Sequence, residues 1–448
     1  TPWGINVSYL IRQFDSCVFL SLGAGGGSDV LQALAEGATE VHAVEINPHI
    51  NFMMLEDDSA GYLPLPPDSA AAETAAMTDS TGADTTGSES QLAADSTPAI
   101  MLMPEFSGYL YRDPRVRVVT EDARAYVRRF ENKFDVIFSL SSNTWAALAS
   151  GAFALAENYL FTTEAYKDYW RSLSDRGFLM MEHQVYTPRL VSEVIDALHE
   201  LGVANPTEHF AVYNLPQMRR KIILMSKQPL TDSLRYYALG PLTPENFAQI
   251  HLLYPPANDS IATTLIPRII ANGWRIEADT APVDISPVTD DRPFVAQMGL
   301  WRNLTAERMD KVTPYAEFSG FPLSLLTIVI ILAVVVVLIV PLNLLPYATR
   351  GPKLRAVPWL YFFCIGVAFM AVEIVLMQKY SLLIGASLYS IVTILLTLLV
   401  ACGVGSRFSN RVTDRTAFLF IVGWLLVDAL VFRHLIYAVD TLPLLGRM

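Results

Sequence analysis

At 448 residues, 52% of them hydrophobic and 17% charged, the chain has room for two or three domains and is too long to be one small module. Its 32 Lys and Arg against 44 Asp and Glu give a net charge of -12, which excludes a nucleic-acid binder working through a basic face. The charge is unevenly spread: from Gly320 onward there are nine Lys/Arg and four Asp/Glu, so the acidic surplus belongs wholly to the part before it. Three cysteines, Cys17, Cys364 and Cys402, provide neither a disulfide framework nor metal-ligand spacing. The sequence opens at Thr1 with no basic leader or signal-type apolar stretch, so the N-terminus reads as processed or cut from a longer chain.

Along the first 230 residues short apolar runs alternate with helical patterns. Residues 16–22 (SCVFLSL) predict a strand, followed by a glycine cluster and a helix over 30–36; strands follow at 41–46 and 116–120. A helix over 123–130, a strand at 134–140, a helix over 163–173, a strand at 177–182, a helix over 188–201 and a final strand pair at 211–214 and 221–226 complete the pattern. Such alternation predicts an α/β fold, a doubly wound and mostly parallel sheet with both faces covered. Residues 59–99 are rich in Ala, Ser, Thr, Asp, Gly and Pro and contain no Phe, Trp, Ile or Val; a segment so poor in apolar surface is expected to be a disordered acidic insertion. It divides a domain made of residues 1–58 and 100–230, and residues 231–320 are expected to be an accessory segment and linker to the membrane.

The C-terminal residues 321–448 are expected to form an all-α membrane region. Four apolar runs, about 321–342, 357–378, 382–404 and 416–432, predict four spanning helices, and the first has 22 uncharged residues. At about 1.5 Å per residue these reach about 33 Å, enough for a hydrocarbon core of about 30 Å. The lipid bilayer is thus an expected partner, and the helices offer surfaces for other membrane subunits. Glu373 and Asp428 are acids inside spans, where charge is costly and faces a protein interior, a partner or a polar path. The basic residues flanking the spans are nearly balanced between the two sides, but the tighter clusters at 350–355 and 407–415 slightly favour a cytoplasmic placement of these loops, with residues 1–320 expected outside the cytoplasm.

Chemistry concentrates at the ends of the first three strands. Gly23, Gly25 and Gly27 stand where the chain turns sharply and a ligand must approach the backbone, where a Cβ would collide. Glu45, at the end of the second strand, can accept both hydroxyls of a ribose, and Asp122 with Ala123, after the third, can receive the amine of a purine. Three consecutive strand ends therefore offer a nucleoside pocket. Glu182, His183 and Tyr186 could line an acceptor pocket, although a core-satisfied histidine is the more frequent role for such a His. His42 and His49 lack metal spacing, and no metal is expected. Trp145 and Tyr159 read as packing aromatics, and Asp290-Asp291-Arg292 as an interdomain ion-pair cluster.

The order GAGGGSDVLQAL, VEINP, VRVVTEDAR, FDVIF and AENYLFTTEAYKDYW resembles the spermidine synthase branch of the class I S-adenosylmethionine-dependent methyltransferase fold over about residues 15–230. The runs NTWAALASGAFALAENYLF, TDDRPF and GVAFMAVEI are similar to bacterial membrane-integral spermidine synthase-like proteins, implying a bacterial inner-membrane location. The resemblance implies S-adenosylmethionine or decarboxylated S-adenosylmethionine as cofactor, held by Gly23, Gly25, Gly27, Glu45, Asp122 and Ala123. Aminopropyltransferases carry aspartates after the fourth strand that help to deprotonate the attacking amine; here Leu140 and Asn143 stand in their place. The acid of the family's glycine loop aligns with Gly27, with Asp29 two positions on. Two functions are consistent with this pattern: methyl or aminopropyl transfer to an unidentified acceptor, or a catalytically silent scaffold subunit of a membrane complex.

Overall fold

In a computed structural model of the protein, residues 7–56, 102–140, 157–240, 250–309, 312–313, 316–350, 355–384, 388–408 and 411–439 are described. The expected insertion at 59–99, together with Asn143 and Trp145, lies outside them.

The apolar runs pair into one sheet of eight strands in the order β3-β2-β1-β4-β5-β7-β6-β8. These are β1 (Val18–Leu22), β2 (Glu40–Glu45), β3 (Val116–Thr120), β4 (Phe134–Leu140), β5 (Leu173–His183), β6 (Phe210–Leu215), β7 (Arg220–Ser226) and β8 (His251–Tyr254). The first five are mutually parallel, and β7, β6 and β8 are antiparallel to their neighbours. Side chains alternate between two buried faces with the period of two that a strand imposes. Leu20, Leu22, Ile137, Leu179 and Met181 occupy one face. Phe19, Val136, Phe138, Phe178 and Met180 occupy the other.

Observed boundaries differ little from the expected ones except at β5, which begins at Leu173 instead of 177. The register of β4 against β5 slips between Phe134 and Val136, and Gly177 sits where an added Cβ would lie 2.8 Å from the Phe134 carbonyl. A strand with a turn-favouring Ser-Asp-Arg-Gly segment inside it breaks the simple alternation, so only its second half is legible as a strand.

Capping side chains fix the helix starts. Asn47, with Pro48 following, accepts from His49 N at 3.0 Å to begin Pro48–Leu55. Asp122 accepts from Ala125 N at 2.9 Å to begin Ala123–Val127. Thr162 accepts from Ala165 N at 3.1 Å to begin Thr163–Ser172. Each cap satisfies a backbone donor that a helix leaves unpaired and directs the helix away from a strand end.

Residues beyond 230 are integral to this core. Ala281, Val283, Ile285, Val288 and Val295 pack into the same cluster as the inner faces of β4 and β5. Buried Arg189, on the helix Thr187–Glu200, donates to the carbonyls of Val295 at 2.9 Å and Gln297 at 2.8 Å and pairs with Asp284 at 2.7 Å. Asp290 pairs with Arg124 at 2.5 Å and accepts from Thr162 Oγ1 at 2.8 Å, while Arg124 also reaches Asp168 at 3.0 Å. Of the cluster anticipated at Asp290-Asp291-Arg292, Asp290 joins an ion-pair network with Arg124 and Asp168 that ties the late segment to two helices packed on the sheet.

Three helices among the described residues are long and apolar enough to cross a membrane, at Leu323–Leu342, Val357–Met377 and Ile391–Phe408. The first begins where Glu317 accepts from Gly299 N at 2.6 Å and Ser324 N at 2.9 Å, so one buried carboxylate caps the helix and fastens it to the preceding segment. The expected third span, from 382, starts too early: the preceding helix continues to Ile384 and the next runs over Leu388–Phe408. Lys379 lies within the helix that continues to Ile384, and its Nζ donates to Asp428 Oδ2 on the helix Asp414–Val439, with Tyr380 Oη donating to Asp428 Oδ1 at 3.0 Å. Residues 416–432, expected as a fourth span, form part of that last helix, whose apolar run is interrupted by Asp428.

Candidate functional site

The parallel topology brings the carboxyl ends of β1, β2, β3, β4 and β5 to one edge, where open α/β sheets bind ligands. Gly23, Gly25 and Gly27 all adopt left-handed backbone, with φ of 80°, 50° and 78°. Gly23 N and Ala24 N donate to the Val44 carbonyl at 2.9 and 3.0 Å, holding the loop against the end of β2. Gly27 then caps the helix Ser28–Ala35.

Glu45 is brought to this loop. It is buried, and its carboxylate accepts from Gly25 N at 3.1 Å and from Asn47 N at 2.9 Å. One acceptor position on each oxygen is used in this way, and a carboxylate has about four, so capacity remains for two ribose hydroxyls. Asp122 uses Oδ1 for its helix cap, leaving Oδ2 as an acceptor, and Ala123 follows it as a small, largely buried residue. Glu121 is turned inward and pairs with Arg129, so of the two neighbouring acids Asp122 is the one available to a ligand. The residue types and remaining acceptors fit an S-adenosyl nucleoside: glycine backbone, a ribose-type acid and a third-strand acid stand at three adjacent strand ends.

The acid lost from the glycine loop is not replaced by Asp29. That side chain is buried and accepts from Ser21 Oγ beneath the loop, and burial raises its pKa to about 6. At Gly27 a Cβ would meet Leu110 Cδ2 at 2.7 Å and Tyr111 Cε1 at 2.8 Å. Tyr111 Oη donates to the Gly25 carbonyl at 2.8 Å. The space beside Gly27 is filled by the short turn Leu110–Arg112. Nothing in the sequence pattern singled out Tyr111, because it follows the expected insertion and lies far from the loop in the chain.

His183 is a core residue. It is buried at the end of β5, stacks on Tyr186 at 3.9 Å and uses Nδ1 to accept from the backbone of Val185 at 3.2 Å. Burial lowers its pKa to about 3, so it is neutral at physiological pH and unsuited to taking a proton there. Its neighbour Glu182 is fully buried, accepts from Arg220 Nη1 at 2.8 Å, and has its pKa raised to about 7 by burial against the opposing influence of Arg220. Leu140 ends β4 directly beside Glu182. His42 is likewise internal, bridging Glu40 at 2.6 Å and Tyr126 Oη at 2.7 Å. Tyr159 is buried with its hydroxyl on Glu157 at 2.9 Å. No group of three or more His, Cys, Asp or Glu is placed to hold a metal among the described residues.

Residues 98–233 match the spermine/spermidine synthase domain family. The chain is similar to a spermidine synthase solved in complex with the transition-state analogue AdoDATO, at 15% identity, covering 54% of this chain and 61% of that one with a TM-score of 0.30. It is similar to a spermidine synthase from Thermotoga maritima at 15% identity, covering 54% and 62% with a TM-score of 0.31. A putative methyltransferase from Escherichia coli matches at 10% identity, covering 48% and 78% with a TM-score of 0.24. The chain thus spans about three fifths of the two spermidine synthases. No curated protein matches it. The sheet order and the glycine turn define a class I methyltransferase-type α/β fold. Within it the chain carries a spermidine synthase-like domain, followed by three apolar helices.

Proposed function

We propose that the protein is a membrane-anchored transferase that binds S-adenosylmethionine or its decarboxylated form and moves a methyl or aminopropyl group to an acceptor. The observation that carries this reading is the joining of Gly25 to Glu45 at 3.1 Å across two strand ends, with ribose-accepting capacity left on the carboxylate. In this reading Gly23, Gly25 and Gly27 supply backbone for close approach, Glu45 holds the ribose hydroxyls, and Asp122 with Ala123 bounds the purine. The bound sulfonium supplies an activated carbon; the protein contributes position and exclusion of water.

The test is calorimetric titration of the full chain in detergent with each nucleoside, beside Glu45→Ala. Micromolar binding of one of them by the wild type, lost by at least tenfold in the variant with its thermal transition preserved, is the expected result. No binding of either nucleoside at millimolar concentration removes the reading. A second reading, a catalytically silent scaffold packed among other membrane subunits, is favoured by Leu140 at the end of β4, where the aminopropyltransferase reaction needs a carboxylate. The basic clusters at 350–355 and 407–415 support it: with these loops cytoplasmic, the sheet domain would face away from the cofactor supply.

A further inference from the structure

The apolar helices meet the sheet on both sides of its ligand-binding edge. The helix that begins at Leu323 is fastened to the domain without a flexible linker. Glu317 accepts from Gly299 N and Ser324 N, Phe321 and Ser324 are buried, and Phe318 and Leu323 pack on the core cluster that contains Tyr186. The Phe318 ring lies 5.8 Å from that of Tyr186, which stacks on His183, the last residue of β5. On the other side, the helix Ala356–Ile384 packs against Ala123–Val127, the helix that Asp122 caps directly after β3. Residues 357–372 of the long helix are exposed, whereas Glu373, Leu376, Met377, Lys379 and Tyr380 are half-buried, so its second half is the part covered by protein. In the order β3-β2-β1-β4-β5 the glycine turn after β1 stands midway between these two contacts. It is two strand spacings, about 10 Å, from either side at the level of the backbone.

We propose that this edge faces the bilayer surface and that its acceptor is a glycerophospholipid, held in the membrane by its acyl chains while its headgroup meets the bound nucleoside. This rests on the membrane-anchored transferase reading of the same edge and adds the class of acceptor. Successive spans run in opposite directions, so Leu323–Leu342 leaves the domain side and Val357–Met377 returns to it. The start of the first and the end of the second then lie at one membrane interface, and both touch the domain beside its carboxyl edge. Residues 378–384 prolong the second helix past its apolar window by about 10 Å, enough to cross a headgroup layer of about 5–8 Å and reach the sheet domain. A water-soluble acceptor would be served as well by a domain on a flexible tether. The buried junction at Glu317 instead fixes the direction in which the edge points, and a fixed direction is what an acceptor confined to the membrane plane requires. In the transfer, a lone pair on a headgroup nitrogen or oxygen forms the new bond to the carbon beside sulfur. The carbon–sulfur bond breaks with its pair passing to sulfur, the sulfonium becomes a neutral thioether, and the proton lost by the headgroup atom passes to interfacial water.

The experiment places the full chain in nanodiscs of phosphatidylethanolamine, phosphatidylglycerol and cardiolipin and supplies S-adenosylmethionine or its decarboxylated form, each tritiated in the group to be transferred. A parallel arm uses nanodiscs of phosphatidylcholine, whose headgroup has no free nucleophile, with glycerophosphoethanolamine and glycerophosphoglycerol added in solution as the same headgroups without acyl chains. Expected is label in the chloroform-soluble lipid of the first arm, at least tenfold faster than into the soluble headgroups of the second, and at least tenfold slower in Glu45→Ala. Nucleoside binding by calorimetry with no label in lipid overturns the inference and leaves the transferase reading standing, as does equal transfer to the soluble headgroups. No binding of either nucleoside removes the transferase reading and the lipid acceptor with it. The comparison of the two arms in the wild type decides the matter even if Glu45→Ala fails to fold.

Discussion

Gly27 links the loop to the turn that covers it, and a single methyl group there tests the account. The position has φ of 78°, and an added Cβ would lie 2.7 Å from Leu110 Cδ2 and 2.8 Å from Tyr111 Cε1. A left-handed conformation costs a non-glycine residue about 1–2 kcal/mol. Relieving the overlap requires both side chains to move; each is buried, and Tyr111 is pinned through its hydroxyl to the Gly25 carbonyl at 2.8 Å. Overpacking of this kind costs about 1–3 kcal/mol, so Gly27→Ala should lose about 2–5 kcal/mol in all. At about 2–4 °C per kcal/mol, its unfolding midpoint should fall by about 10 °C. Gly26→Ala is the internal control: Gly26 is not left-handed, and a Cβ there meets nothing within 4 Å. That change should be neutral or stabilise by up to about 1 kcal/mol through the unfolded state. Thermal unfolding of the full chain in detergent, followed by near-ultraviolet circular dichroism, compares the two. Equal midpoints for the variants would refute the packing of Leu110 and Tyr111 over the loop.

Two further expectations concern the buried charges. Arg124→Met should destabilise the protein by about 3–5 kcal/mol in denaturant titration, because it leaves Asp168 and Asp290 without the cation both contact. A loss below about 1 kcal/mol would show the network to be dispensable. Asp29 has a folded pKa raised from 3.8 to about 6, so the folded state binds the extra proton and its stabilising contribution is present below pH 3.8 and lost as pH rises through 6. Over that window the wild type should lose about 3 kcal/mol that Asp29→Asn keeps, measured as the change in denaturation midpoint of each between pH 4 and pH 7. Parallel pH profiles for the two proteins would contradict the inward burial of this carboxyl.

The parallel half of the sheet was legible because its strands are short apolar runs, buried on both faces in β1, β2 and β4. β3 and β4 have the expected limits, and β1 and β2 shift by no more than two residues. β8 was not legible: four half-buried residues after a long connection, His251–Tyr254, have no periodic signature and form a strand only because the edge of β6 is available to them. The same holds for residues 281–298, whose scattered Val and Ile read as a linker but fill the gap between the helices Thr163–Ser172 and Thr187–Glu200. Sequence patterns report local periodicity; the contribution of such a segment is fixed by the space left over when the regular elements have packed.

At the candidate site the same distinction separates the residues that the pattern singles out from those that it passes over. Gly23, Gly25, Gly27, Glu45 and Asp122 are identifiable because backbone conformation and strand-end position dictate their types locally. Tyr111 and Leu110 act at a distance of more than eighty residues in the chain, and only the folded structure places them against Gly27. Their presence gives a physical reason for glycine at this position: the volume beside the loop is already occupied, and Asp29, two residues on, is held by Ser21 beneath it. The setting of Glu182 was likewise out of reach of the pattern: only the register of β5 against β4 and β7 sets it beside Leu140, buried and paired with Arg220.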